Sequence, residues 1–213
     1  MKEKLMAKQD WLITNEGNCL AFKSPREWDL LSETNPYRLY RFLVELEDLI
    51  NQTEIRGESE EALLHNIRPL VRKLILNVYW LKTNIPDISN DIGTSFSLLY
   101  DEPGFSLTIQ TEIMLPQTST SIHNHGTWGI VATLGGQQKN TFWRRSPTSD
   151  FPDKIEQVGE QIFSSGDIIS LMTDTIHRVE AIGDEPTITL NLYGETLSKR
   201  FNFDPITHQA KKF

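Results

Sequence analysis

The sequence predicts a mainly β chain, a sandwich or barrel with a helical segment at its front. Up to about residue 85, apolar residues recur at helical spacing. Beyond Pro86, turn residues return every ten or so positions. Between those turns lie short β-branched and aromatic runs, the pattern of many short strands in a sandwich or barrel.

Taken in order, residues 1–35 show only helix-flanking character. From Pro36 to Gln52, Leu39, Phe42, Leu43, Leu46, Leu49 and Ile50 fall on one helical stripe. From Ser59 to Thr83, Leu63, Ile67, Leu70, Val71, Leu74, Ile75 and Val78 do the same. Ser59 followed by Glu60 and Glu61 marks the start of this second helix, and Gly57 separates the two. The turn signals then run Asn90–Gly93, Asp101–Gly104, Gly135-Gly136, Pro147–Asp150, Gly159, Gly166 and Gly183–Pro186. Strands are expected between them, over Phe105–Met114, Trp128–Leu134, Thr141–Arg145, Asp167–Met172 and Thr187–Tyr193. Asp101–Gly104 reads as a hairpin connection. The expected organisation is a helical segment over 1–85, packed on a barrel over 86–213, within one structural domain.

Composition narrows the function classes. The 213 residues suffice for one domain with a substantial core. A net charge of -8, with no basic run of five or more residues, repels phosphate backbones and removes nucleic acid as an expected partner. Cys19 is the lone cysteine, so no intrachain disulfide forms, which fits a reducing cytosol. The N-terminus has no apolar run like that of a signal peptide, and no stretch of about 18 apolar residues exists. A cytoplasmic protein with no membrane partner is expected, and the oligomeric state is left open.

Chemistry concentrates in the histidines. His123 and His125 are separated by one residue, and on a strand such a pair points to one face. His177 begins a later β segment, and antiparallel pairing can bring it beside them. Imidazole suits Fe, Ni, Cu and Zn, and three ligands on one side of an ion leave open positions opposite. His65, on the polar side of a helix, and His208, in a charged tail, read as ordinary hydrogen-bonded residues.

These residues resemble the cupin superfamily. Its first motif has the form G-x5-HxH-x3,4-E-x6-G; here His123, His125 and Gly136 match, while Gln117 and Gly129 stand at the first glycine and at the glutamate. Its second has the form G-x5-P-x-G-x2-H-x3-N; here Gly166 and His177 match, while Met172, Asp174 and Ala181 replace the rest. The resemblance implies a double-stranded β-helix, a jelly-roll-like barrel. Three histidines without the carboxylate look like the thiol dioxygenases, the cysteine and 3-mercaptopropionate dioxygenase group, as do SIHNHGTWGIVATLGG, NTFWRR, IHRVEAI and LNLYGE. That likeness implies Fe(II) held by His123, His125 and His177, with Ni or Zn as substitutes. It also implies O2 and a small thiol as co-substrates and a sulfinic acid as product.

The resemblance further implies an outer-sphere triad at Thr189, Asn191 and Tyr193, where Asn191 replaces the family's histidine and cannot titrate near neutrality. Tyr193 also reads as a barrel-core aromatic. The family's carboxylate-binding arginine precedes the HxH pair, but no Lys or Arg lies between Lys82 and Lys139. Of Arg144 and Arg145, at most one faces inward, and Arg178 points away from the site because it follows His177 directly. Arg144, Gln110 and Trp128 are the substrate-pocket candidates. The alternatives are a metal-dependent cupin dioxygenase of a non-thiol substrate and a non-catalytic metal-binding sensor.

Overall fold

The computed structural model describes residues 8–25, 37–77, 93–102, 105, 107–195 and 200–212. The expected stretch of helix from Val78 to Thr83, and Pro103 and Gly104 of the expected hairpin connection, lie outside the described residues.

The first elements depart from expectation. Within the segment read as helical, Gln9–Ile13 (β1) and Cys19–Lys23 (β2) form an antiparallel hairpin. In QDWLI, Leu12 and Ile13 are buried and Asp10 is buried with them. Helices follow at Leu39–Arg56 (α1) and Glu60–Leu76 (α2). Ser59 caps α2, its hydroxyl accepting the Ala62 N–H. Gly57 ends α1 at φ 63°, a left-handed position that glycine takes without cost.

The remaining strands are Thr94–Asp101 (β3), Thr108–Met114 (β4), Ile122–His123 (β5), Gly129–Gly135 (β6), Gln137–Arg145 (β7), Ile155–Ser164 (β8), Ile168–Leu171 (β9), Ile176–Ile182 (β10), Thr187–Tyr193 (β11), Phe201–Asp204 (β12) and Gln209–Lys212 (β13). Gly159, expected in a turn, lies inside β8 beside a bulge opposite Phe142 and Trp143. Open space around its α-carbon suits an edge strand.

One sheet runs β2-β1-β9-β6-β11-β4-β3 and the other β13-β12-β5-β10-β7-β8. Strands β4 to β11 thus make two four-stranded layers, β9-β6-β11-β4 over β8-β7-β10-β5, the double-stranded β-helix of a jelly roll. The hairpin β1–β2 extends the first layer, with β1 parallel to β9.

Alternation along the strands of the first sheet gives it two different faces. Outward, Ile109, Ile130, Ala132, Ile168, Leu190 and Leu192 pack with Phe42, Leu46, Leu64, Ile67, Val71 and Leu74 of the helices. A buried Arg72 in α2 pairs with Asp10 and donates to the Gly166 carbonyl, tying helix to sheet. The inward face meets the second sheet, and its polar residues line a cavity between the layers.

Candidate metal centre

Antiparallel pairing of β5 with β10 sets His177 directly opposite His123. His125 lies two residues past the short β5 rather than within it, yet its ring still converges on the other two. The ring centroids stand 4.9, 4.8 and 5.2 Å apart. All candidate ligand atoms of the three lie within 4.8 Å of one another.

Hydrogen bonds orient two of the three rings, while His125 Nδ1 is buried without a partner among the described residues. His177 Nδ1–H donates to Asn140 Oδ1 at 2.8 Å, and His123 Nδ1–H donates to the Ser121 carbonyl at 2.9 Å. These bonds set the tautomers in which Nε2 is the ligating nitrogen of His177 and of His123. Asn140 is held in turn, its Nδ2 donating to Gln138 Oε1 and Gln138 Nε2 donating to Thr133 Oγ1. The His177 ring is thus locked by a chain of buried amides.

His125 Nε2 and His177 Nε2 are 3.0 Å apart. With metal–imidazole distances of about 2.1 Å, two cis ligands at about 90° need a separation near that value. Burial, and the charge each ring would feel from its neighbours, hold His125 and His177 well below the ordinary histidine value; burial lowers His123 too. All three are neutral at pH 7, as ligation requires. The donor set and the His125–His177 spacing suit one divalent ion.

The cavity around the triad measures about 260 Å³. Thr189, Asn191 and Tyr193 all line it, as alternation on β11 requires, and so does Gln110 on β4. The Tyr193 ring stacks on His125 at 4.7 Å and 25°. That ring occupies the room beside Gly129: a Cβ there would lie 3.0 Å from Tyr193 Cδ1. Glycine at this position makes space for an aromatic ring on His125. The Tyr193 phenol is raised above its ordinary value, chiefly by burial and then by the charge of Glu112.

Two expected pocket residues stand elsewhere. Arg144 is exposed on β7 and faces Glu156 at 3.6 Å. Trp128 precedes inward-facing Gly129, so its ring points to the other side of the sheet and packs with the helix-covered core. Arg178 points outward, as expected, and donates to Ser119 Oγ.

Two charged residues of the cavity escaped the sequence reading, Glu112 on β4 and Arg200 just before β12. Glu112 Oε2 accepts Asn191 Nδ2–H at 3.0 Å, and burial pushes its carboxyl up to about 7. The signal for Glu112 was the alternation of Gln110, Glu112 and Met114 along one face of TIQTEIM. Nothing in the sequence placed Arg200 against the histidines, since that depends on β12 pairing with β5.

No protein-family model and no curated protein matches the chain. Solved structures with similar coordinates include an oxalate oxidase in complex with glycolate, at 10% identity and TM-score 0.41, covering 55% of this chain and 59% of that one. A cupin-2 domain from Rhodospirillum rubrum aligns at 15% identity and TM-score 0.38, over 51% of this chain and 64% of that one. The Bacillus subtilis oxalate decarboxylase, a protein with Mn(II) centres, aligns at 19% and 0.41, over 57% and 30%. The chain spans about 59% of the oxalate oxidase length. Among the described residues, no helix is long and apolar enough to cross a membrane.

Proposed function

We propose that the protein is a mononuclear non-haem iron dioxygenase that oxidises a small thiol to a sulfinic acid, R–SH + O2 giving R–SO2H. The observation that carries this is the neutral ligand set. Among the described residues, His123, His125 and His177 cluster without a carboxylate ligand, at the wall of a small cavity. A neutral face leaves a divalent ion its full charge, which favours an anionic sulfur ligand. The ion, when bound, would supply a Lewis-acidic and redox-active centre for sulfur and O2.

The chain's own residues do the rest. Tyr193 packs on His125 and offers its hydroxyl to the cavity, with Thr189 and Asn191 on the same strand face. Arg200 provides the cation that the strand before His123 lacks. A guanidinium is the usual partner of a carboxylate, so an acidic thiol such as 3-mercaptopropionate suits this cavity better than a neutral one. A cavity of about 260 Å³ has room for a small substrate.

A second reading is a cupin dioxygenase of a non-thiol substrate such as an enol or a catechol. Glu112 serves it equally, because a carboxyl in the cavity can take a proton from a hydroxyl as well as from a thiol. The test is oxygen uptake by anaerobically Fe(II)-loaded protein with small thiols, catechols and diketones, against a His125→Ala control. Uptake driven by one thiol and lost in the control supports the first reading. Uptake with a catechol or diketone alone replaces it with the second.

A further inference from the structure

Opposite the histidines, the β4–β11 wall carries polar groups that ligation does not use. Glu112 has one hydrogen-bond partner among the described residues, Asn191 Nδ2 on its Oε2. Its Oε1 is left without a protein partner there, and no described cation pairs with it. Asn191 Oδ1 and Thr189 Oγ1 are buried without partners beside it. A buried carboxyl and two orphaned acceptors in one cavity are costly to keep unless something polar occupies the space.

The charges facing Glu112 are unevenly shared. Tyr193 feels both Glu112 and Arg200. Arg200 also acts on His123 and His125. Across the cavity stand the three histidines, neutral by burial. Gln110, Thr189 and Asn191 complete the near wall with no charge of their own.

We propose that Glu112 is the proton acceptor for the substrate's ionising group, with Oε1 as the receiving atom while Asn191 holds Oε2. The S–H bond breaks, its electron pair stays on sulfur, and the proton leaves on the Glu112 carboxylate, which becomes a neutral acid. The thiol form of this step rests on the proposed function; a hydroxyl would lose its proton in the same way. Burial supports it. A carboxyl raised to about 7 is a far better match to a thiol of about 8.5 than an ordinary glutamate is.

The experiment counts protons rather than turnovers. Zn(II)-loaded protein, which cannot carry out the oxidation, is titrated calorimetrically with 3-mercaptopropionate at about pH 7.5 in buffers of different ionisation enthalpy. The thiolate bound beside Glu112 raises its carboxyl further, so wild type keeps most of the proton and releases well under one, whereas Glu112→Gln releases about one per thiol bound. Glu112→Asp, which keeps an acid, returns towards the wild-type count. Equal release by wild type and Glu112→Gln overturns the proposal. If wild type ignores the thiol but binds acetylacetone with the same proton difference, Glu112 stands and the thiol reading falls. Binding of neither probe by wild type overturns both.

Discussion

At Gly129 the missing Cβ makes room for an aromatic ring. An alanine there would press its Cβ to 3.0 and 3.1 Å from two carbons of Tyr193, tighter than a packed interior accepts. The ring must shift, and it is the ring that stacks on His125. Gly129→Ala is therefore expected to leave the fold intact and weaken metal binding about tenfold by disturbing a ligand's support, measured by competition with a chelator. Unchanged affinity would show that the stacking does not position His125. His177→Ala should lose the ion outright. The histidines were legible because HxH followed by a third histidine is a local pattern. Alternation in TIQTEIM signals only the face of Glu112; its role depends on the hydrogen bond from Asn191 across β4 and β11, a register the sequence does not print. The same limit explains Arg144, whose inward or outward choice depends on a position near the β7–β8 bulge.

Among the elements, α2 and β1 meet through the Arg72–Asp10 pair, both side chains almost fully buried. Arg72 also satisfies the Gly166 carbonyl, just before β9. Removing one partner strands the other charge, so Arg72→Met should cost about 3–5 kcal/mol in denaturant unfolding. Adding Asp10→Leu should recover part of that loss, since an apolar pair carries no desolvation cost. A loss under 1 kcal/mol, an order-of-magnitude bound for an exposed pair, would mean the site is effectively solvated. Both helices were readable from their period, and β11 matched residue for residue, because packing and propensity agree there. The hairpin β1–β2 was missed because five residues of QDWLI carry too little pattern and its partner β9 is remote in sequence. β8 was missed because its apolar residues do not all face the core, with Val158 and Ile162 exposed, and because it contains Gly159, a residue that reads as a turn until an edge position excuses it.

For the molecule as a whole, the cavity sets two opposed dependences of stability on pH in metal-free protein. The three histidines are held below the ordinary 6.5 in the fold. Above that value neither state binds their protons and nothing is lost. As pH falls through 6.5 the unfolded chain takes up protons that the fold refuses, and stability drops. Glu112 works the other way. Its folded value of about 7 lies above the ordinary 4.5, so the fold keeps a proton that the unfolded chain releases. Its contribution is present below 4.5 and is lost as pH rises through 7. With three histidines against one acid, the melting temperature of chelator-treated protein should fall between about pH 7 and 5.5. Glu112→Gln should raise stability by about 3 kcal/mol near pH 8, with no gain below 4.5. Saturating metal should flatten the acid side until protons displace the ion, because a ligated imidazole cannot be protonated. Melting curves across pH, with and without metal, for wild type and Glu112→Gln decide the matter. A wild-type melting temperature that stays level on acidification would mean that the histidines are not buried neutral. A variant no more stable than wild type at pH 8 would mean that Glu112 is solvated in the cavity rather than held there at a cost.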